Sequence, residues 1–277
     1  MLDCAMTKDV GMYKKTKPLE FKDQLNREIY LPNPTQRIIS LVPSQTELLY
    51  DLGLKDRLAG QTIFCVHPEA YFKSSVKIGG TKKLNLEKIA SLKPDLIIAN
   101  KEENEKDQIE ELAKYFPIWI SDVNTLEDAL EMIKSLGEIT QTEPKASKII
   151  TKITQSRNTF LNQSYPKQTV IYLIWNNPFI AVGKDTFINS MLAEAGFENI
   201  IIESRYPEIT LNEIKQINPD WVFLSSEPFP FNTEHKLEID KLLGKNKSVL
   251  VDGEMFSWYG SRLSLAYEYF GRLRNIC

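Results

Sequence analysis

The chain has 277 residues, 42% hydrophobic and 26% charged, with 34 Lys+Arg against 37 Asp+Glu and a formal charge of −3. At roughly 150 residues per domain that is about two compact units, and the ordinary globular composition excludes disorder and collagen-like repeats. A net-acidic chain without a Lys/Arg block lacks the footprint of a nucleic-acid binder, and no run of about 18 apolar residues offers a membrane-spanning helix.

Met1 to Tyr13 has no apolar run that could serve as the core of a secretory leader, so nothing in the sequence as written marks export. Cys4, Cys65 and Cys277 form neither a disulfide framework nor a paired zinc pattern. Phe21 to Leu31 alternates around Asp23-Gln24-Leu25-Asn26 and reads as a β-hairpin, since Asn tolerates the positive φ of a tight turn. Arg37 to Val42 is an apolar run of the kind buried in a parallel sheet. It is followed by Pro43 and by Ser44-Gln45-Thr46-Glu47, whose Ser and Glu spacing predicts a capping box opening a helix to Gly53. Strand signals recur at Arg57 to Thr62, Asp95 to Ala99 and Ile118 to Ile120. Helical segments fall at Leu86 to Leu92, Glu105 to Tyr115 and Thr125 to Leu136, an alternation that argues for an α/β lobe.

Thr142 as a cap, Pro144 in a first turn and no breaker before Pro166 predict one helix of about 22 residues over 143–165. Its sparse apolar residues and the polar run Thr154 to Thr159 suit a helix lying along the outside of two lobes. Strand and helix signals restart at Val170 to Ile174, Thr186 to Ala195, Trp221 to Leu224 and Val249 to Val251, giving a second lobe. Asn85-Leu86-Glu87 leading to Pro94-Asp95 is echoed by Thr210-Leu211-Asn212-Glu213 leading to Pro219-Asp220. The expected organisation is a leader and hairpin (1–36), an α/β lobe (37–142), a linking helix (143–165) and a second α/β lobe (166–277). Both lobes carry mostly parallel sheets, and one long backbone helix joins them. Ligands of such sheets bind at the strand C-termini, so function is sought in the cleft between the lobes.

Gly183-Lys184-Asp185-Thr186 lacks the upstream glycine of a phosphate loop. With two histidines, His67 and His235, and no Ser in a nucleophile elbow, no hydrolytic triad is in evidence. Cys65 and His67 could share a metal but have no companion pair, and a buried thiol accounts for Cys65 as well. Neither a metal centre nor a resident cofactor is expected. Phe64, Trp175, Tyr206, Phe256, Trp258 and Tyr259 gather at predicted strand ends, where they either pack in the core or face a ligand. Ser44 could cap its helix or offer the helix N-terminus to an anionic group.

From roughly Phe21 to Arg274 the chain resembles the periplasmic substrate-binding proteins of ABC importers for vitamin B12 and iron chelates, the class with two lobes on a single backbone helix. The segments that carry the likeness are Arg37 to Leu49, Ile78-Gly79-Gly80, Asn85 to Asn100, Asn177 to Lys184, Glu198 to Arg205 and Gly260-Ser261-Arg262. The resemblance implies a non-enzymatic protein, monomeric and periplasmic, that delivers cobalamin, haem or a siderophore to an ABC importer permease. It places the ligand against Phe64, Trp175 and the Glu254-Met255-Phe256 segment, and the reading of strand ends adds Ser44, Tyr206 and Trp258. Where some B12-binding members have a tryptophan, this chain has Thr81. Permease docking falls on Glu87, and on Glu213 because the second matching position is Asn212. An intracellular protein that stores, senses or processes a metal chelate on the same scaffold is the alternative.

Overall fold

The computed structural model describes residues 19–31, 34–244 and 246–277, so most of the leader lies outside the described residues. Strands β1 (Leu19–Lys22) and β2 (Glu28–Leu31) pair antiparallel as the expected hairpin, with Asn26 at φ 61° in its turn. The hairpin is fastened to the first lobe by the Gln24 amide on the Ile120 carbonyl and by Trp119 Nε1 on the Lys22 carbonyl.

The first lobe runs β3 (Ile38–Ser40), α1 (Pro43–Asp51), β4 (Leu58–Gln61), α2 (Glu69–Phe72), α3 (Leu86–Ser91), β5 (Leu96–Asn100), α4 (Lys106–Ala113), β6 (Ile118–Ser121) and α5 (Leu126–Thr140). Its four-stranded sheet has the order β4-β3-β5-β6, every pair parallel. Strand β5 is buried at every position, which is why Leu96 to Ala99 is a continuous apolar run.

After α6 (Glu143–Leu161), the second lobe contains β7 (Gln168–Trp175), β8 (Phe179–Ala181), α7 (Phe187–Glu194), β9 (Phe197–Asn199), β10 (Glu208–Ile209) and α8 (Leu211–Ile217). It continues with β11 (Trp221–Ser225), α9 (Thr233–Leu243), β12 (Ser248–Val251), α10 (Glu254–Ser257) and α11 (Leu263–Arg274). Its sheet has the order β10-β8-β7-β11-β12, with β9 beside the start of β7. The β7, β9, β11 and β12 pairings are parallel, whereas β8 joins β7 and β10 antiparallel. These two short antiparallel strands are too brief to show a period in sequence.

The echo between the halves has a physical basis. Asp95 accepts from the amides of Gln36 and Arg37 (2.7 and 2.9 Å), and Asp220 accepts from the amide and hydroxyl of Thr169 (2.7 and 2.8 Å). Each Pro-Asp turn therefore pins the start of the neighbouring parallel strand, β3 in one lobe and β7 in the other. Asn85 and Thr210 cap the preceding helices through their side chains.

Two helix starts differ from expectation. Helix α1 begins at Pro43 with Val42 as its N-cap, which leaves Ser44 buried inside the first turn and the capping box unformed. Proline wins this position because its fixed φ and missing N–H suit the first helical residue. Helix α6 is 19 residues and ends at Leu161, so the segment to Tyr165 is not helical, and Thr142 stands at its N-cap without a side-chain cap bond.

Helix α6 does bridge the lobes. It lies between α5 and α11, burying Ala146, Ile153 and Phe160. Phe160 packs against Tyr267 and Phe270 of α11, with ring centroids 6.2 Å away in each case. Arg157 makes a bidentate pair with Glu194 of α7 (2.6 and 2.8 Å), to which the Tyr267 hydroxyl also donates. On the first-lobe side, a Cβ at Gly137 would lie 2.5 Å from Ala146 Cβ, so glycine sets the close approach of α5 and α6. Alanine ordinarily favours a helix over glycine by about 1 kcal/mol, but overpacking costs about 1–3 kcal/mol. Gly137→Ala is accordingly expected to lower the thermal midpoint by several degrees in calorimetry, and an unchanged or raised midpoint would contradict this packing.

Candidate functional site

The C-terminal ends of the strands in both lobes converge on one cleft. From the first lobe come the loop after β4, with Phe64 and His67, and the turn after β5, with Glu102 and Glu103. From the second come Trp175 at the end of β7, Glu227 after β11 and Glu254 after β12, joined by Arg205 and Tyr206 from the segment before β10.

The two sides touch through charge. At the mouth, the Arg205 guanidinium pairs with Glu102. At the base, Arg262 donates twice to Glu47 of α1 (2.8 and 2.7 Å) and once to Glu254 (2.8 Å), and Glu254 reaches His67 at 3.2 Å. Arg262 and Glu47 side chains are only 10% and 16% exposed, and removing one partner of such a buried pair typically costs about 3–5 kcal/mol. Gly260 completes the joint at φ 138°, where a Cβ would stand 3.1 Å from the Ser44 carbonyl. Glu47, expected in a capping box, is thus a clamp residue.

The expected ligand residues separate into two groups. Phe64, Trp175 and Tyr206 are 53%, 40% and 38% exposed, as a ligand contact requires. Phe256 does not, contrary to expectation: it is fully buried, with centroids 5.2 Å from Tyr172 and 4.9 Å from Phe270, because α10 turns it into the core. Trp258 is buried too, its Nε1 donating to Glu227 (3.0 Å) and its ring held between His67 and Arg262. Glu254 and Ser44 likewise belong to the joint between the lobes. Sequence reasoning missed Phe229, whose ring lies edge-on to Trp175 at 5.8 Å and starts an aromatic run through Phe231 and His235. The spacing Pro228-Phe229-Pro230-Phe231 directly after a strand is the signal that could have found it.

Cys65 and His67 do not meet at a metal. Cys65 is buried with its sulfur 3.1 Å from the hydroxyls of Thr46 and Thr62, and burial pushes its thiol up, while His67 turns to Glu254. Among the described residues no group of three or more His, Cys, Asp or Glu could hold a metal ion.

Two cleft carboxyls sit above the usual carboxylate range. Burial raises Glu103, with Lys82 offsetting it in part. Burial also raises Glu227, helped by Glu254 and Glu103 and opposed by the bonds from Ser257 (2.5 Å) and Trp258 (3.0 Å). A carboxyl that holds its proton more tightly when folded contributes less stability as pH rises through its raised value, and the loss is recovered as pH falls. Glu227→Gln keeps an acceptor oxygen without the charge. It is expected to melt higher than the parent at neutral pH, with the difference shrinking toward the ordinary carboxylate range. A difference that stays constant or grows on acidification would contradict the assignment.

Of the expected docking acids, Glu87 is exposed in the first turn of α3 and makes no ion pair among the described residues. Glu213 is exposed but engaged: its carboxylate accepts from the Thr210 amide and hydroxyl, both at 2.7 Å, and these bonds hold it below the usual range.

Residues 38–247 match the family described as periplasmic binding protein. The chain is 28% identical over 226 residues to an uncharacterized ABC transporter substrate-binding lipoprotein of Bacillus subtilis, covering 77% of this chain and 71% of that protein. It is 30% identical over 200 residues to the vitamin B12-binding protein of Vibrio vulnificus, covering 69% and 72% respectively. The crystal structure of the periplasmic vitamin B12-binding protein of Vibrio cholerae superposes with a TM-score of 0.74 at 22% identity, covering 88% of this chain and 98% of that one. The two-lobed fold with its single bridging helix and the match across most of the sequence lead to one conclusion: this chain belongs to the periplasmic binding protein family.

Proposed function

We propose that this protein is the substrate-binding protein of an ABC importer and carries a multi-ring metal chelate, a corrinoid, haem or ferric siderophore, in the cleft between its lobes. The observation that carries the reading is the pair of exposed aromatics at strand ends on opposite lobes, Phe64 and Trp175, which suit stacking on a flat ligand. Similarity to a vitamin B12-binding protein and to an ABC transporter lipoprotein supports the chelate class and the importer, and the same similarity disfavours intracellular storage or processing. The protein works outside the cytoplasmic membrane as a monomer, since one chain supplies both walls of the cleft.

In this reading the chelate separates Arg205 from Glu102 at the mouth, while the Arg262 joint and α6 keep the lobes in register. The amplitude of opening is small, because helices bend sharply only at identifiable breakers. Glu87 meets a permease cation from the first lobe.

The test is calorimetric titration of the protein with cyanocobalamin, haemin and a ferric siderophore. At least one is expected to bind. An aromatic contact worth about 0.5–1.5 kcal/mol corresponds to a roughly 2- to 10-fold weakening in Trp175→Ala. Absence of binding by all three, or unchanged affinity in Trp175→Ala and Phe64→Ala alike, would contradict the proposal.

A further inference from the structure

Two carboxyls in the cleft, one on each lobe, lack a paired cation. Glu103 follows Glu102 in the turn after β5, where the Asn100 side chain accepts from the amides of both (2.8 and 3.0 Å). Asn100 is itself buried and donates to the Ser121 hydroxyl (3.0 Å), which fixes the turn. Glu102 takes Arg205. Glu103 is half-buried, and its carboxyl makes no hydrogen bond or ion pair among the described residues, with Lys82 offsetting its charge only in part.

Glu227 is held as firmly on the other lobe. Its backbone carbonyl and amide both bond the Ser225 hydroxyl (2.6 and 3.3 Å), and a Cβ at Gly253 would lie 2.6 Å from Glu227 Cγ, so glycine makes room for the side chain. Oε1 accepts from Ser257 and Trp258, whereas Oε2 accepts from none of the described residues. Glu103 is among the charges that act on Glu227, so the two carboxyls sense each other across the cleft. Tyr259, 6% exposed, adds a hydroxyl without a hydrogen-bond partner, on which Glu103 and Ser44 both act. Holding carboxyls inside protein without cations costs stability, and groups kept in that condition collect at functional sites.

We propose that Glu103 and Glu227 set the specificity of the cleft, selecting a chelate whose edge carries carboxamides or positive charge and rejecting one whose edge carries carboxylates. The proposal rests on the chelate reading above and narrows it. A carboxamide donates to a carboxylate oxygen and accepts from the Tyr259 hydroxyl or from a protonated carboxyl, so it satisfies both kinds of group. A ligand carboxylate only accepts, and it adds like charge where water is largely excluded, an arrangement that costs several kcal/mol at a desolvated contact. The cleft arginines do not reverse this. Arg262 is held by Glu47 and Glu254, and drawing Arg205 from Glu102 releases one charge of each sign.

The experiment is calorimetric titration of the full chain with three matched pairs that keep the ring or iron centre and change only the edge. They are haemin and its bis-amide, dicyanocobyrinic acid and dicyanocobinamide, and ferrioxamine B with its free ammonium and its carboxylate-bearing N-succinyl derivative. Within each pair that binds, the amide or ammonium form is expected to bind about 10-fold or more tighter. In the double variant Glu103→Gln, Glu227→Gln this ratio is expected to fall to within about 3-fold, while the amide form keeps its affinity within about 3-fold because glutamine still donates and accepts. If the double variant does not fold, Glu103→Gln and Glu227→Gln are titrated singly, and each is expected to lower the ratio about 3-fold. A ratio below about 10-fold in the parent, or one that the variants leave unchanged, overturns the proposal. Absence of binding by every member of the three pairs overturns the chelate reading instead.

Discussion

The relation between the two lobes depends on Arg262. Its guanidinium is buried between Glu47, on the first helix of one lobe, and Glu254, at the last strand end of the other. Removing either carboxylate would leave this largely buried cation under-paired, which is costly, so the network favours the observed spacing at the base of the cleft. Gly260 adds a steric constraint, since its φ of 138° disfavours any other residue and a Cβ there would crowd the Ser44 carbonyl at 3.1 Å. Helix α6 closes the arrangement from outside, locked to the first lobe at Gly137 and to the second through Phe160 and Arg157.

The mouth has a different character. Its bridging pair, Arg205 with Glu102, lies among partly exposed side chains, and such pairs are weak next to a buried network. Each lobe also carries exposed aromatics, Phe64 on the first and Trp175 on the second, and two carboxyls whose pKa burial raises, Glu103 and Glu227. A broad ligand with apolar faces and hydrogen-bonding edges suits this environment. The rest of the cleft lining is committed to holding the lobes together.

Much of this was legible in the sequence where local chemistry decides the outcome. Continuous apolar runs gave the parallel strands, Asn26 the hairpin turn, and the paired Pro-Asp turns the two-fold echo that Asp95 and Asp220 realise as strand pins. The helix bridging the lobes was legible from its polar run and lack of breakers. Tertiary context decided the remainder. Phe64, Trp175 and Phe256 look alike in sequence, but only the packing of α10 reveals that Phe256 faces Phe270 and not the cleft. Ser44 and Glu47 have the spacing of a capping box, yet Pro43 takes the first helical position and Glu47 finds Arg262, 215 residues away. No local rule relates two residues at that separation. Glu213 shows the reverse case, since its capping role is legible locally and the structure realises it on Thr210.

The most direct measurement of the central claim is a crystal structure of the protein loaded with the chelate that it binds best in titration. The account predicts the chelate between Phe64 and Trp175 at the strand ends, with the Glu47–Arg262 pair intact and Arg205 drawn away from Glu102. A chelate bound outside the cleft, or one whose binding breaks the Glu47–Arg262 pair and swings the lobes apart at their base, would contradict it.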